Sequence, residues 1–277
     1  MTLPTRNRIL IATFVATVPA IVTIVVSYPE LVKAVFAALP KADHRAKGLI
    51  EGLSILVFKP SAWALLISLP VCCVYAAGTI AMLYYSFEKT QAPEILFFAF
   101  FAFSFLGETF RMAIPIAFAR EWPPAIVVYA ARIIAFGRFA GVLSLFAAGV
   151  YANGLDFQKH GRVIIIIAVA ALTIATGIPI DGLTYDASFT PLSGYRFMLD
   201  LTELSIALFA VLSFFVAAYV KSAREIYAAS LGILFVTIGR DFVLRGDSWA
   251  AALIGGVLLF GGTWLFAVKI HRYYLWL

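Results

Sequence analysis

Hydrophobic residues in this chain come in runs too long for a soluble core, not at the spacing of one half-buried helix face. Eight runs of about 18–25 predominantly apolar positions recur from end to end, the length a helix needs to cross a bilayer. They cover approximately 9–27, 61–86, 94–119, 124–151, 163–180, 197–219, 227–245 and 248–270. Charges or turn residues separate them, as at Glu88-Lys89, Trp122-Pro123-Pro124 and Lys221-Ser222-Ala223-Arg224. The pattern predicts an all-α, polytopic transmembrane bundle. The seventh run is the weakest, because it gives way after Gly239 to Arg240, Asp241 and Arg245. Pro19, Pro70 and Pro115 fall inside spans and predict kinks, whose freed backbone groups neighbouring helices must satisfy.

The one long connection, residues 28–60, has a different pattern. Leu31, Val32, Val35, Phe36 and Leu39 share one helical face with Lys33 off it, and residues 49–58 are apolar again. Amphipathic helices lying in the interface explain this spacing. A lid over an external pocket is the functional alternative.

Composition narrows the class. The chain of 277 residues is 63% hydrophobic and 13% charged, with a mean hydropathy of +0.97. That leaves no stretch for a water-soluble catalytic or DNA-binding module, so residues 1–277 read as a single integral membrane domain. The net charge of +6 concerns membrane orientation and anionic lipid, not nucleic acid. With the N-terminus inside, the cytoplasmic segments hold Arg6, Arg8, Lys89, Lys159, Arg162, Lys221, Arg224, Lys269 and Arg272. The short outer connections hold only Arg120, Arg196 and Arg245. Both termini are therefore expected in the cytoplasm. The long outer connection opposes this with Lys33, Lys41, Arg45, Lys47 and Lys59, partly offset by Glu30, Asp43 and Glu51. Arg6-Asn7-Arg8 ahead of an apolar run also has the form of a signal peptide, whose cleavage would leave seven helices. The length of the run favours a retained signal-anchor. Short loops and the lack of Asn-x-Ser/Thr sites fit a bacterial cytoplasmic membrane.

Eight charges interrupt the apolar runs: Arg111, Arg132, Arg138 and Arg240 with Glu108, Asp200, Glu203 and Asp241. In the orientation set by the loop charges, all eight fall between the midplane and the outer surface. Glu108 and Arg111 are three apart, as are Asp200 and Glu203, so each pair shares a helix face. Arg138 lies within Gly137-x-x-x-Gly141, a small-residue spacing that lets another helix come close. Charges at this depth either pair with one another or line a binding site. Four against four allows a closed network that fixes helix register. A water-accessible pocket binding a polar or anionic solute, or a lipid head group, is the functional counterpart. An arginine left without a carboxylate would favour that second version.

Other chemistry finds little footing. His-Glu-x-x-His, Gly-x-Ser-x-Gly and nucleotide-binding Gly-x-x-x-x-Gly-Lys-[Ser/Thr] patterns are absent. The three histidines lie in loops or at a helix end, and Cys72-Cys73 sits mid-span as small packing residues. No cofactor, metal site or catalytic residue is therefore assigned. Tyr185-Asp186 with Gly239-Arg240-Asp241 lacks the second glycine and the span placement of an intramembrane aspartyl protease. Leu106-Gly107-Glu108-Thr109-Phe110 matches Ile238-Gly239-Arg240-Asp241-Phe242 loosely, a thin hint of a parallel repeat. Gly255, Gly256 and Gly262 on the eighth span suit a tight helix contact within the chain, or a seam to a second copy or a partner protein. Two readings stand: a carrier or permease component with an outward-facing charged site, and a sensor or scaffold subunit in which the charges form a structural or switching network.

Overall fold

Without water in a bilayer, every backbone N–H and C=O must find a partner inside the protein, and long apolar runs meet this demand as helices. The computed structural model describes residues 3–38, 61–88, 90, 92–154, 160–185, 189–245 and 248–275. Among them, eight helices are long and apolar enough to cross a membrane. They are α1 (Leu3–Ala38), α2 (Ala62–Phe87), α3 (Pro93–Ala119), α4 (Pro124–Ala152), α5 (His160–Gly177), α6 (Arg196–Lys221), α7 (Arg224–Arg245) and α8 (Trp249–Leu275). The architecture, an almost wholly helical bundle with eight such helices among the described residues, is compatible with a multi-pass membrane protein.

Three features depart from the sequence pattern. First, α1 runs unbroken from Leu3 to Ala38, so the amphipathic turn around Leu31 continues the first long helix and is not a separate one. Leu31 and Val35 are buried against the bundle, which accounts for their shared face. Leu39 and residues 49–58 lie outside the described residues, as do Lys89, Lys159 and Asp186, so the proposed lid falls there too. Second, α7 continues through Arg240, Asp241 and Arg245, because partners from other helices meet the two arginines and Arg245 in turn pairs with Asp241. Third, a short antiparallel hairpin joins α5 to α6, with β1 at Ile180–Tyr185 and β2 at Pro191–Ser193.

α3 occupies the centre. Of its most apolar stretch 72% is buried, against 17% for α1 and 11% for α5. Its aromatic residues build much of the core: Phe98 stacks on Phe266 of α8, Phe105 packs against Tyr75 of α2, and Phe214 of α6 meets Phe266 edge-on. α3 is α-helical over Pro93–Ser104, winds as a 3-10 helix over Phe105–Met112, and is α-helical again over Ala113–Ala119. In an α-helix the Arg111 carbonyl would need the N–H that Pro115 lacks; pairing three residues apart removes that need. At Pro70 the remedy comes from outside: the Tyr28 hydroxyl on α1 donates to the Leu66 carbonyl, 3.4 Å away, which proline leaves open.

Glycines set the closest helix approaches. A Cβ on Gly232 would lie 2.8 Å from the Gly262 carbonyl, and one on Gly262 would lie 2.7 Å from the Gly232 carbonyl. A Cβ on Gly239 would meet the Gly255 carbonyl at 2.8 Å, and one on Gly255 would meet Phe242 and Val243, so α7 and α8 touch backbone to backbone. Gly255 and Gly262 are thus occupied within the chain, while Gly256 faces open space. On α4, a Cβ at Gly137 would sit 2.9 Å from the Ser104 carbonyl of α3.

Candidate functional site

The 3-10 winding of α3 places its charges. At three residues per turn, positions i and i+3 eclipse, so Glu108 and Arg111 stack on one side of the helix. Glu108 is 2% exposed and Arg111 is fully enclosed. The close approach at Gly137 brings the next residue of α4, Arg138, against Glu108. Its Nε donates to Oε1 at 2.8 Å and its Nη2 to Oε2 at 3.1 Å, the two-pronged geometry suited to a guanidinium and a carboxylate. Arg111 Nη1 donates to Oε2 at 3.4 Å. Both arginines also reach the Leu244 carbonyl, Arg111 at 3.3 Å and Arg138 at 3.5 Å. That carbonyl lies in the last turn of α7, where helix geometry supplies no N–H and favours a cation.

A second group is centred on Glu203 of α6, also buried. Arg240 donates to its Oε1, and Arg245 Nη2 donates to Oε2 at 2.6 Å. Arg245 pairs as well with Asp200 at 2.9 Å and, one turn back on its own helix, with Asp241 at 3.2 Å. The two groups are tied together, since Arg240 Nη2 also donates to the Arg138 carbonyl at 3.1 Å. Four helices are thereby cross-linked at one level.

Seven of the eight charges singled out from the sequence meet in this layer. The exception is Arg132. It is half-buried on α4, takes part in no ion pair or hydrogen bond among the described residues, and has its Nε enclosed without a partner. Six residues separate it from Arg138, which at 100° per residue points it elsewhere. Its place in the four-to-four balance is taken by Arg245, which sequence reasoning assigned to an outer connection; the spacing Asp241-x-x-x-Arg245 was the available signal.

Two hollows adjoin the layer. A small one of about 110 Å³ lies beneath the hairpin and is bordered by Arg138, Arg196, Asp200, Glu203 and Arg245. A larger groove of about 500 Å³ runs between α6 and α7. It starts at Glu203, Arg240, Asp241 and Arg245 and continues over Leu208, Val211, Leu234 and Ile238. Glu203 and Arg245 belong to both hollows.

Sequence reasoning also missed polar groups at the opposite end of the bundle. Arg6, read as an orientation marker, is 5% exposed and donates to the Phe87, Glu88 and Thr90 carbonyls, capping the end of α2. Asn7 adds a bond to the Glu88 carbonyl at 3.1 Å. Glu94, in the first turn of α3, is 2% exposed. Its Oε1 accepts the Tyr274 hydroxyl at 2.7 Å, and its Oε2 has no hydrogen-bond partner. An acid in the first turn suits the positive end of a helix, but nothing local predicts its burial. Among the described residues no group of three His, Cys, Asp or Glu side chains could hold a metal ion. Cys72 and Cys73 are buried free thiols.

No family model matches the chain. It is similar to an uncharacterized protein of Treponema pallidum (strain Nichols), with 22% identity and 69% of each chain covered.

Proposed function

We propose that this membrane protein binds an amphiphile with an anionic head at the charged layer, in the outer half of the bilayer, in the manner of a carrier or permease component. The distribution of Lys and Arg among the short connections supports placing the hairpin end outside. One observation carries the reading: the groove between α6 and α7 has apolar walls for a chain and ends at the arginines and carboxylates of the layer. The small hollow under the hairpin continues it with the guanidinium groups of Arg138 and Arg245 on its border, whose planar forks suit a phosphate or carboxylate head.

Reconstitution into vesicles with a fluorescent anionic phospholipid tests this. The wild-type chain is expected to move the label between leaflets, and Arg245→Ala and Arg245→Lys to abolish movement while the protein still purifies as a single species. Movement unchanged in both variants would sink the proposal.

A second reading rests on the closure of the layer itself, four arginines against four carboxylates joined through backbone carbonyls. In it the network fixes helix register in a sensor or scaffold subunit. That version gives no flux in any variant, and Arg245→Ala lowers stability alone.

A further inference from the structure

Across α4 from the small hollow lies a larger cleft of about 820 Å³, bounded by α1, α3, α4 and α5. This lies within the volume range of sites for small organic ligands. Along α1 its lining runs from Ala16 to Glu30, about 21 Å at 1.5 Å per residue. One leaflet of a bilayer offers about 15 Å of hydrocarbon depth, so the cleft can take the full chain of a lipid and still reach the head-group level.

Its walls are apolar in effect. Three of the hydroxyls that line it donate to their own helices: Thr23 to the Pro19 carbonyl at 2.8 Å, Ser104 to Phe101 at 2.7 Å and Thr109 to Leu106 at 2.7 Å. The mouth is different. There Glu30 of α1 and Arg120 at the end of α3 form an ion pair, each about half exposed. The Arg120 guanidinium lies 5.9 Å from the centre of the Trp122 ring, and tryptophan is a residue type enriched at the membrane–water boundary. Among the described residues, Arg120 commits one terminal nitrogen to Glu30 and leaves the rest of its fork open.

We propose that this cleft holds one chain of a phospholipid whose head carries both an ammonium and a phosphate, the ammonium at Glu30 and the phosphate at Arg120. The mouth presents one charge of each sign side by side. A wholly anionic head would bring its charge against Glu30, and a cationic one against Arg120, so the pair discriminates by repulsion as well as attraction. The inference is independent of the reading given to the charged layer.

The test uses the full chain equilibrated with vesicles of equal phosphatidylethanolamine and phosphatidylglycerol, followed by mass spectrometry of the lipid retained after detergent extraction. The wild type is expected to retain the ethanolamine lipid over the glycerol lipid by about threefold to fivefold, the scale of a half-exposed charge contact. Glu30→Gln, at an exposed position, leaves Arg120 alone and reverses the preference. Thr23→Trp, which fills the cleft from the exposed side of α1, removes retention of the ethanolamine lipid. Arg245→Ala, which removes the anionic-lipid site proposed at the charged layer, lowers only the glycerol lipid and leaves the amount of ethanolamine lipid retained as in the wild type, which separates the two sites. Equal retention of the two lipids by Arg245→Ala, a preference untouched by Glu30→Gln, ethanolamine-lipid retention that survives Thr23→Trp, or a copurifying polypeptide in place of lipid overturns the proposal.

Discussion

Two glutamates on α3 are equally enclosed, each 2% exposed, and are supported in opposite ways. Glu108, in the overwound middle of the helix, is held by Arg138 and Arg111, which are themselves anchored on the Leu244 carbonyl. Glu94, in the first turn, has a single tyrosine hydroxyl on one oxygen and no hydrogen bond on the other. Burial alone therefore does not define a site in this protein. What distinguishes the charged layer is that two guanidinium groups converge on each of its buried glutamates, where Glu94 has one hydroxyl, and the energetic consequence of removing one contributor follows from that difference.

The largest expected effect comes from Arg138→Ala, which takes both prongs from Glu108. Breaking a buried pair from one side costs about 3–5 kcal/mol, and thermal or denaturant unfolding in detergent should show a loss of that order. A loss under about 1 kcal/mol, the scale of exposed pairs, would mean that the layer is wetter than its burial indicates. Gly137→Ala comes next. Its new methyl would meet the Ser104 carbonyl of α3, and separating α3 from α4 to make room is expected to cost about 1–3 kcal/mol by the same assay.

At the other glutamate, Glu94→Leu leaves the part-buried Tyr274 hydroxyl without its acceptor, at about 1–3 kcal/mol. Adding Tyr274→Phe should restore stability to near the parent, since removing both polar partners together is close to neutral. The matching double variant Glu108→Leu/Arg138→Leu should not recover, because Arg111 stays enclosed without its carboxylate. Equal recovery in both double variants would erase the contrast between the two sites. The smallest effect belongs to Arg132→Ala, expected within about 0.5 kcal/mol of the parent because no ion pair is lost.

The apolar runs made the helices readable, as their lengths answer to bilayer thickness alone. The seventh span looked doubtful because Arg240, Asp241 and Arg245 are costly in isolation, and their partners on α4 and α6 are far away in sequence. Most of the charged layer was visible for the same reason: few residues other than partners hold a guanidinium at that depth. Arg132 and Arg245 exchanged roles because depth along a helix can be counted from the sequence, whereas direction around it depends on packing. The hairpin was not foreseen, since Ile180–Tyr185 is short and carries little period-two alternation. Arg6 capping α2 and Tyr274 meeting Glu94 join residues more than 80 positions apart, and no local pattern encodes such pairings.

The tight winding of α3 has an angular consequence. Eight residues at three per turn advance about 160° further than the same number at 3.6 per turn, and rise about 4 Å more. Everything beyond Met112 is thus turned nearly half a revolution from where an uninterrupted α-helix would carry it. Arg120 meets Glu30 only with that offset in place, so α3 acts as a keyed shaft. The torsional phase that stacks Glu108 over Arg111 in the interior also aims the guanidinium at the rim, and relaxing the one would swing the other out of reach.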